Sequence, residues 1–596
     1  MFLIIIRFVF IAIIFYLALP ITSLKADWIN LTGSETAPNI VEIDVLDDHV
    51  KLALEIFVGD LETFEELIPD DWLKDSNTQR LRLNERLRIF SSQKFQIITD
   101  TGERLPANLN LVEPRLRIDR ESPFAGMINP ITRQPVPEAP ADKRVLYVEL
   151  LYPFKGKPKT LTFIPPLDNE DRVRVSIGFI AYHKSVPVID FRYLGAPAQL
   201  TLDWEDPWYS AFDNPNLKRH HKDALMSFLY IEPHEVRHEG LMRVRDLQVW
   251  TDINIGNATT LNVEEQIQIK ELARDFFIER NPLTIDGKQS SPSSSRAVFL
   301  KITSAGLRAI NETELLDPST AIVGVSQSHW IQHLPQNVRV DWNLFNNRIN
   351  RVPYTVTDPA GPLPGFLMEG DTTIEWKNYL RTYKEPNLLP IKLHDGRTFP
   401  IPVVSLLLLF ICLALAALAF GSKRLVAIVL GGLSVACLLA AMLMMRIAVI
   451  HIKNPIPGLP SEAAAMQITT NILTHARYAF LEKEPASLNQ ALEVIVDNGQ
   501  FNDIVIELKR AFAIEVSGGG IASVENIKNL KLENTITLEN KDGFRTLANW
   551  TVLANARHWG HVDQRTISYR ALMELAKVKG VWKLVGLTIL DVKPVN

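Results

Sequence analysis

The chain has only two cysteines, Cys412 and Cys437, and both fall inside long apolar runs. The remaining sequence therefore carries no disulfide framework, no thiolate nucleophile and no cysteine metal ligand. An excess of one charge is missing as well. The 63 basic and 68 acidic residues leave a formal net charge of −5, which gives no reason to expect nucleic acid or a strongly charged partner. There is no glycine-rich phosphate loop, no GxSxG elbow and no sustained basic–aromatic stripe. Catalysis by a mechanism with a named sequence signature is thus unsupported.

Two uninterrupted apolar runs are present, residues 402–420 and 425–445, joined only by Gly421-Ser422-Lys423-Arg424. A helix needs about 20 apolar residues to cross a hydrocarbon core of roughly 30 Å. Neither run contains a charge, so both are expected to span, and the four-residue link forces them antiparallel. Whatever precedes and follows them then lies on one side of the membrane. Lys423-Arg424 puts the link in the cytoplasm. Residues 1–26 read as a secretory signal, with Arg7, an apolar stretch to Leu19, Pro20 and then small or polar residues. An uncleaved anchor is the alternative, and both send Asp27 onward across the membrane. The expected localisation is a bacterial inner membrane, with both large parts periplasmic.

A length of 596 residues suggests three or four domains. Residues 27–231 form a first β-rich exported domain. Residues 50–59 and 145–152 are apolar runs of strand length, and residues 171–182 alternate with period two. Pro187 places the following run at an edge or a strand start. Such strands broken by Pro and Gly suggest a β-sandwich, interrupted by a polar, Pro-rich excursion over 103–144. A second β-rich domain spans 232–390, with residues 235–250 strand-like. Its one strong helix covers 262–279, where Asn262 and Glu265 form a capping box. Residues 386–400 and 455–460 read as Pro-containing linkers flanking the membrane.

The last domain, 461–596, has helical patterns at 462–483, 488–496 (with Ser487 as cap) and 501–512. Four strand patterns follow, 523–538, 543–559, 564–576 and 581–592. This element order resembles the NTF2-like cone. That resemblance implies a pocket between helix and sheet for a small molecule, or a sheet face that pairs with another subunit. The fold class expected is a multidomain α+β membrane protein with β-sandwich-like exported domains, a transmembrane helical hairpin and a C-terminal NTF2-like cone.

Three places offer chemistry. His234-Glu235-Val236-Arg237-His238 has the HExxH form, which binds zinc only when both histidines share one helical face. Glu264 or Glu265 is the candidate third ligand. Arg237 and Glu239 depart from that pattern, and Met242 to Arg245 alternate as a strand does. In a strand His234 and His238 lie about 13 Å apart, too far to share an ion. The second place, His220-His221, stands among Lys218, Arg219 and Lys222, whose charges oppose a bound cation. The third is His558-Trp559-Gly560-His561, with Asp563 and Arg565 beyond. Alternation along 544–556 puts His558 on the apolar face and His561 on the other, and a His–Asp pair there would act as base and orienter.

The segments EVRHEGLMRVRDL (235–247), VDWNLFNNRINRVPYTVTDPAGPLPG (340–365) and HWGHVDQR (558–565) together resemble a group of uncharacterised bacterial envelope proteins. The resemblance implies a shared design and supplies no reaction. The expected function is a membrane-anchored periplasmic assembly, scaffold or ligand-binding component without catalysis or cofactor. Its expected partners are other envelope or inner-membrane proteins, a second copy through the C-terminal sheet, and the bilayer. The alternative is a metal-dependent or general-base hydrolase using His234/Glu235/His238 or His558/Asp563.

Overall fold

The computed structural model describes residues 32–595 except 73–79, 121, 123, 220–222, 254, 256–259, 304–305, 312–313, 394–397, 446, 448, 454–457 and 517–519. The signal reading of 1–26 and the His220-His221 pair lie outside the described residues. Two compact units result. The first is the described part of Met1–Tyr383 together with His558–His561, and the second is the described part of Lys384–Arg557 with Val562–Asn596.

The first unit begins with a six-stranded sheet and a four-stranded sheet that share one apolar core. The strand His49–Phe57 lies between Asn39–Val45 and Arg144–Pro153, and its Val50, Leu52, Leu54 and Ile56 are fully buried. These runs were legible because one face of each is apolar throughout. Asn108–Leu116, inside the stretch expected as an excursion, is instead a strand pairing with Arg144–Pro153 at the sheet edge. It is largely exposed, so its sequence has no need to alternate. Val186–Tyr193 forms the opposite edge, as Pro187 implies. The alternation read over 171–182 becomes a strand only at Ile177. Before it, the Asp168 carboxylate accepts backbone N–H groups of Glu170 and Arg172 and turns the chain.

A seven-stranded sheet follows, in the order Gly306–Ala309, Ser294–Thr303, Ile322–Trp330, Glu235–Arg243, Leu225–Glu232, Arg351–Asp358, Gly361–Met368. A four-stranded sheet and the helix Val263–Arg280 pack on its core, and Asn262 caps that helix as its spacing predicts. Glu235–Arg243 is the middle strand and almost every residue in it is buried. Ile269, Ala273 and Phe277 of the helix are buried, and a Cβ on Gly240 would lie 2.2 Å from the Phe277 ring. Position 240 therefore admits only glycine. The strand-like reading of 235–250 holds only to Arg243, because Val244–Trp250 is a helix. Asp246 stands in its first turn and pairs with Arg243.

The second unit contains the two apolar helices, Val403–Phe420 and Arg424–Met444, each long and apolar enough to cross a membrane. Their contact uses small residues seven apart, Ser405 and Cys412 on one helix, Ser434 and Ala441 on the other. The Ser434 hydroxyl donates to the Cys412 carbonyl at 3.0 Å, and such small side chains let backbones approach closely. Thr398–Ile401 pairs antiparallel with Ile450–Lys453, so the chain enters and leaves the hairpin side by side.

Three helices, Glu462–Ala479, Pro485–Glu493 and Phe501–Phe512, precede a five-stranded sheet running from Ile514 to Pro594. The second helix starts at Pro485 rather than 488, and the Ser487 hydroxyl donates to Glu484 instead of capping. The stretch read as a linker is part of this core. Ile391 is buried in it, and Leu388 and Leu393 pack against it. Trp582 fixes the segment, donating its backbone N–H to the Ile391 carbonyl and its indole N–H to the Leu393 carbonyl, both at 2.9 Å. Trp582→Phe should cost about 1 kcal/mol for the lost bond and Trp582→Ala about 3–5 kcal/mol, read by denaturant unfolding. Equal effects of the two would show that the ring, and not the staple, is unimportant here.

Candidate functional site

The middle strand Glu235–Arg243 presents two chemically different faces. On one, the Arg237 guanidinium lies between two carboxylates, 2.9 Å from Glu235 Oε2 and 2.9 Å from Glu239 Oε1. It also sits 4.6 Å from the centre of the Tyr230 ring. Burial alone would lower the Arg237 pKa, but the charges of Glu235 and Glu239 outweigh it and raise it. Glu239 itself is fully buried. Burial pushes the Tyr230 hydroxyl well above its ordinary value, with the Glu239 charge adding to it, so the phenol stays protonated.

On the other face, His238 is spent on hydrogen bonds. The Gln327 amide donates to Nδ1 at 3.1 Å, which leaves the proton on Nε2 facing Ser227 Oγ at 2.9 Å. The ring packs on Phe277 and Trp342, and burial lowers its pKa to about 3. Neither nitrogen has a lone pair left for a metal. His234 precedes the strand in a turn. Glu264 is exposed on the first turn of Val263–Arg280, and Glu265 is engaged in the capping box. The HExxH residues thus lie on a strand and its turn, not on a helix. Among the described residues no three His, Cys, Asp or Glu side chains come together as a metal site.

The third sequence candidate arrives at the first. Strand Gly543–His558 and strand His561–Val578 are joined by the two residues Trp559 and Gly560, with φ of +51° and +79°. Two positive φ values are what a type I′ turn requires, and its first position usually holds Asn, Asp or Gly. A tryptophan there is strained by on the order of 1–3 kcal/mol. Burial offsets the strain, since Trp559 is only 1% exposed within the core of the first unit. A Cβ on Gly324 would lie 2.8 Å from the Trp559 ring, and a Cβ on Gly560 would lie 2.4 Å from the Phe228 ring. Both glycines are therefore set by close approach. The Trp559 backbone N–H donates to Glu239 Oε2 at 2.6 Å, and the Gly560 N–H donates to the Tyr230 hydroxyl at 3.0 Å. The buried indole N–H of Trp559 has no hydrogen-bond acceptor among the described residues.

His558 is buried, on the apolar face where the alternation puts it, and Arg565 is exposed. The side chains of His561 and Asp563 lie outside the described residues. The residues that define the site are thus Tyr230, Glu239, Gly324 and Trp559, none of them a candidate from motif reading. A signal did exist in the sequence. Glu235, Arg237 and Glu239 at period two place like charges on one strand face, an arrangement that needs a buried cation between them. Both Glu239 oxygens are engaged, one by Arg237 and one by the turn, so the carboxylate anchors the turn to the strand.

No protein-family model matches the chain, and no curated protein matches it. The findings define a mixed α+β protein with many sheets and an apolar helical hairpin.

Proposed function

We propose that the protein is an assembly or scaffold component of the bacterial envelope, anchored in the inner membrane by its helical hairpin. Both large parts stand in the periplasm and hold other envelope proteins or a small ligand without catalysis. The observation that carries this reading is the Glu239–Trp559 hydrogen bond, between residues 320 apart. Both apolar helices lie between these two positions in the chain. Residues 239 and 559 can meet only on one side of a membrane, which two crossings permit and one forbids. The basic pair Lys423-Arg424 in the link supports placing that side opposite the cytoplasm. Apart from Arg424 at the start of the second, the two helices carry no charge and offer no polar pathway for a solute. Three helices on a long antiparallel sheet favour an NTF2-like cone, whose sheet face or interior would hold the partner or ligand.

Absence of catalysis is favoured by the state of two of the candidate groups, since His238 is saturated by neighbours and Glu235 is paired with Arg237. Crosslinking in intact cells, followed by purification in detergent and elemental analysis, tests the reading. A defined envelope partner at fixed stoichiometry is expected. Near-stoichiometric zinc that disappears in His234→Ala, or recovery of the chain alone, would overturn it.

A further inference from the structure

Among the described residues, the groups that hold the Trp559-Gly560 turn come from residues 228–324 and also contact one another. Tyr230 and Glu239 lie on adjacent strands, where Phe228 is the register partner of Glu239. Arg237 already balances Glu239 and stacks on Tyr230. Gly324 stands on the strand paired to the other side, opposite Leu241. The result is two buried acceptors, one carboxylate and one hydroxyl, placed to receive two successive backbone N–H groups. Beneath them is a floor with no side chain at Gly324 and a wall, Phe228, that tolerates no Cβ at the second turn residue.

We propose that Tyr230, Glu239, Gly324 and Phe228 form a recognition site for a Trp-Gly type I′ β-turn, occupied by the chain's own Trp559-Gly560. The carboxylate and the phenol read the backbone of the turn, the glycine floor reads the indole, and Phe228 reads the glycine. Recognition explains two features that stability alone disfavours, a bulky residue at φ +51° and an indole N–H buried without an acceptor among the described residues. Residue 559 follows both apolar helices in the chain, so the site stays open during synthesis until the hairpin has been made. Occupation of the site is then the step that completes the core of the first unit. The inference concerns this contact and stands whether or not the protein has envelope partners.

The test uses the full chain in detergent or nanodiscs, followed by hydrogen exchange. Trp559→Asn removes the indole while Asn-Gly keeps the preferred turn sequence, so the hairpin itself survives. Exchange over 226–241 and 322–328 should accelerate by about tenfold or more, with 581–594 unchanged. Gly324→Val should reproduce this from the opposite wall. A disulfide-closed peptide carrying residues 556–563, added to the Trp559→Asn protein, should restore protection saturably, and the same peptide with its Trp replaced by Asn should not. Exchange in Trp559→Asn within twofold of the unmodified chain, or a peptide that fails to protect, would overturn the proposal. Acceleration spread equally over 581–594 would also overturn it, since the substitution would then act on the hairpin and not on the site.

Discussion

Replacing Arg243 by alanine is expected to destabilise the first unit by about 3–5 kcal/mol. Arg243 is buried and ends the middle strand. Its Nη1 and Nη2 reach the two oxygens of Asp206 at 3.0 and 2.9 Å, and its Nε and Nη2 reach Asp246 at 2.6 and 2.8 Å. Trp208 lies against the guanidinium at 4.9 Å from the ring centre. Burial would raise the Asp206 pKa, but the hydrogen bonds and charge of Arg243 hold it below the ordinary carboxylate value. Without the guanidinium two carboxylates are left in a site that excludes water, and their desolvation dominates the loss. Arg243→Lys should recover only part of it, because an ammonium cannot bond both carboxylates in the planar, bidentate manner. Combining Arg243→Ala with Asp206→Asn and Asp246→Asn should be less damaging than Arg243→Ala alone. Urea unfolding measures all three. A loss below about 1 kcal/mol for Arg243→Ala would mean that water replaces the cation.

Acid is expected to weaken the same unit well above the range where carboxylates titrate. Among the described residues, His183, His238 and His329 are buried with their charged forms disfavoured. Burial lowers His183 and His329 to about 4 and His238 to about 3. His183 Nδ1 faces the Ser210 hydroxyl at 2.8 Å, and His329 Nδ1 faces the Ser290 hydroxyl at 2.8 Å. The unfolded chain protonates these rings near pH 6.5, whereas the folded chain resists until about 3–4. Below 6.5 the unfolded state thus binds more protons, and stability must fall with falling pH. The contribution is complete above pH 6.5 and is lost progressively towards pH 4. At pH 5 His238 accounts for about 2 kcal/mol, and His183 and His329 for on the order of 1 kcal/mol each after allowance for solvent screening. Urea midpoints from pH 7.5 to 5 should show this slope, and His238→Gln should reduce it. A flat profile across that window would show that the rings are protonated in the folded protein.

What the sequence makes legible follows from burial on one face. His49–Phe57, Arg144–Pro153 and the two apolar helices carry a continuous apolar face, whereas the helix Val263–Arg280 is legible from its capping box, its Val263 and Ile267 being exposed. Elements outside that condition were hidden. Asn108–Leu116 is an exposed edge, and Thr398–Ile401 with Ile450–Lys453 are four-residue strands whose partner lies beyond two helices. Polar residues in Glu235–Arg243 conceal an almost fully buried strand because they satisfy one another there.

The site illustrates a different limit. EVRHEGLMRVRDL and HWGHVDQR each drew attention through their histidines, yet they meet through Glu239 and Trp559. Spacing along a chain reports which side chains share a face of one element. It carries no register between residues 320 apart, and so a carboxylate that anchors a distant turn reads in sequence only as a defect in a zinc motif.

The segments before and after the helical hairpin are expected to occupy one compartment, opposite the link. Single cysteines test it most directly, introduced as Glu62→Cys, Ser422→Cys or Lys528→Cys into a chain with Cys412 and Cys437 replaced. A membrane-impermeant maleimide applied to spheroplasts should label the cysteine at 62 and the cysteine at 528, and reach the one at 422 only after lysis. Protection of either 62 or 528 before lysis, or labelling of 422 in intact spheroplasts, would contradict the account.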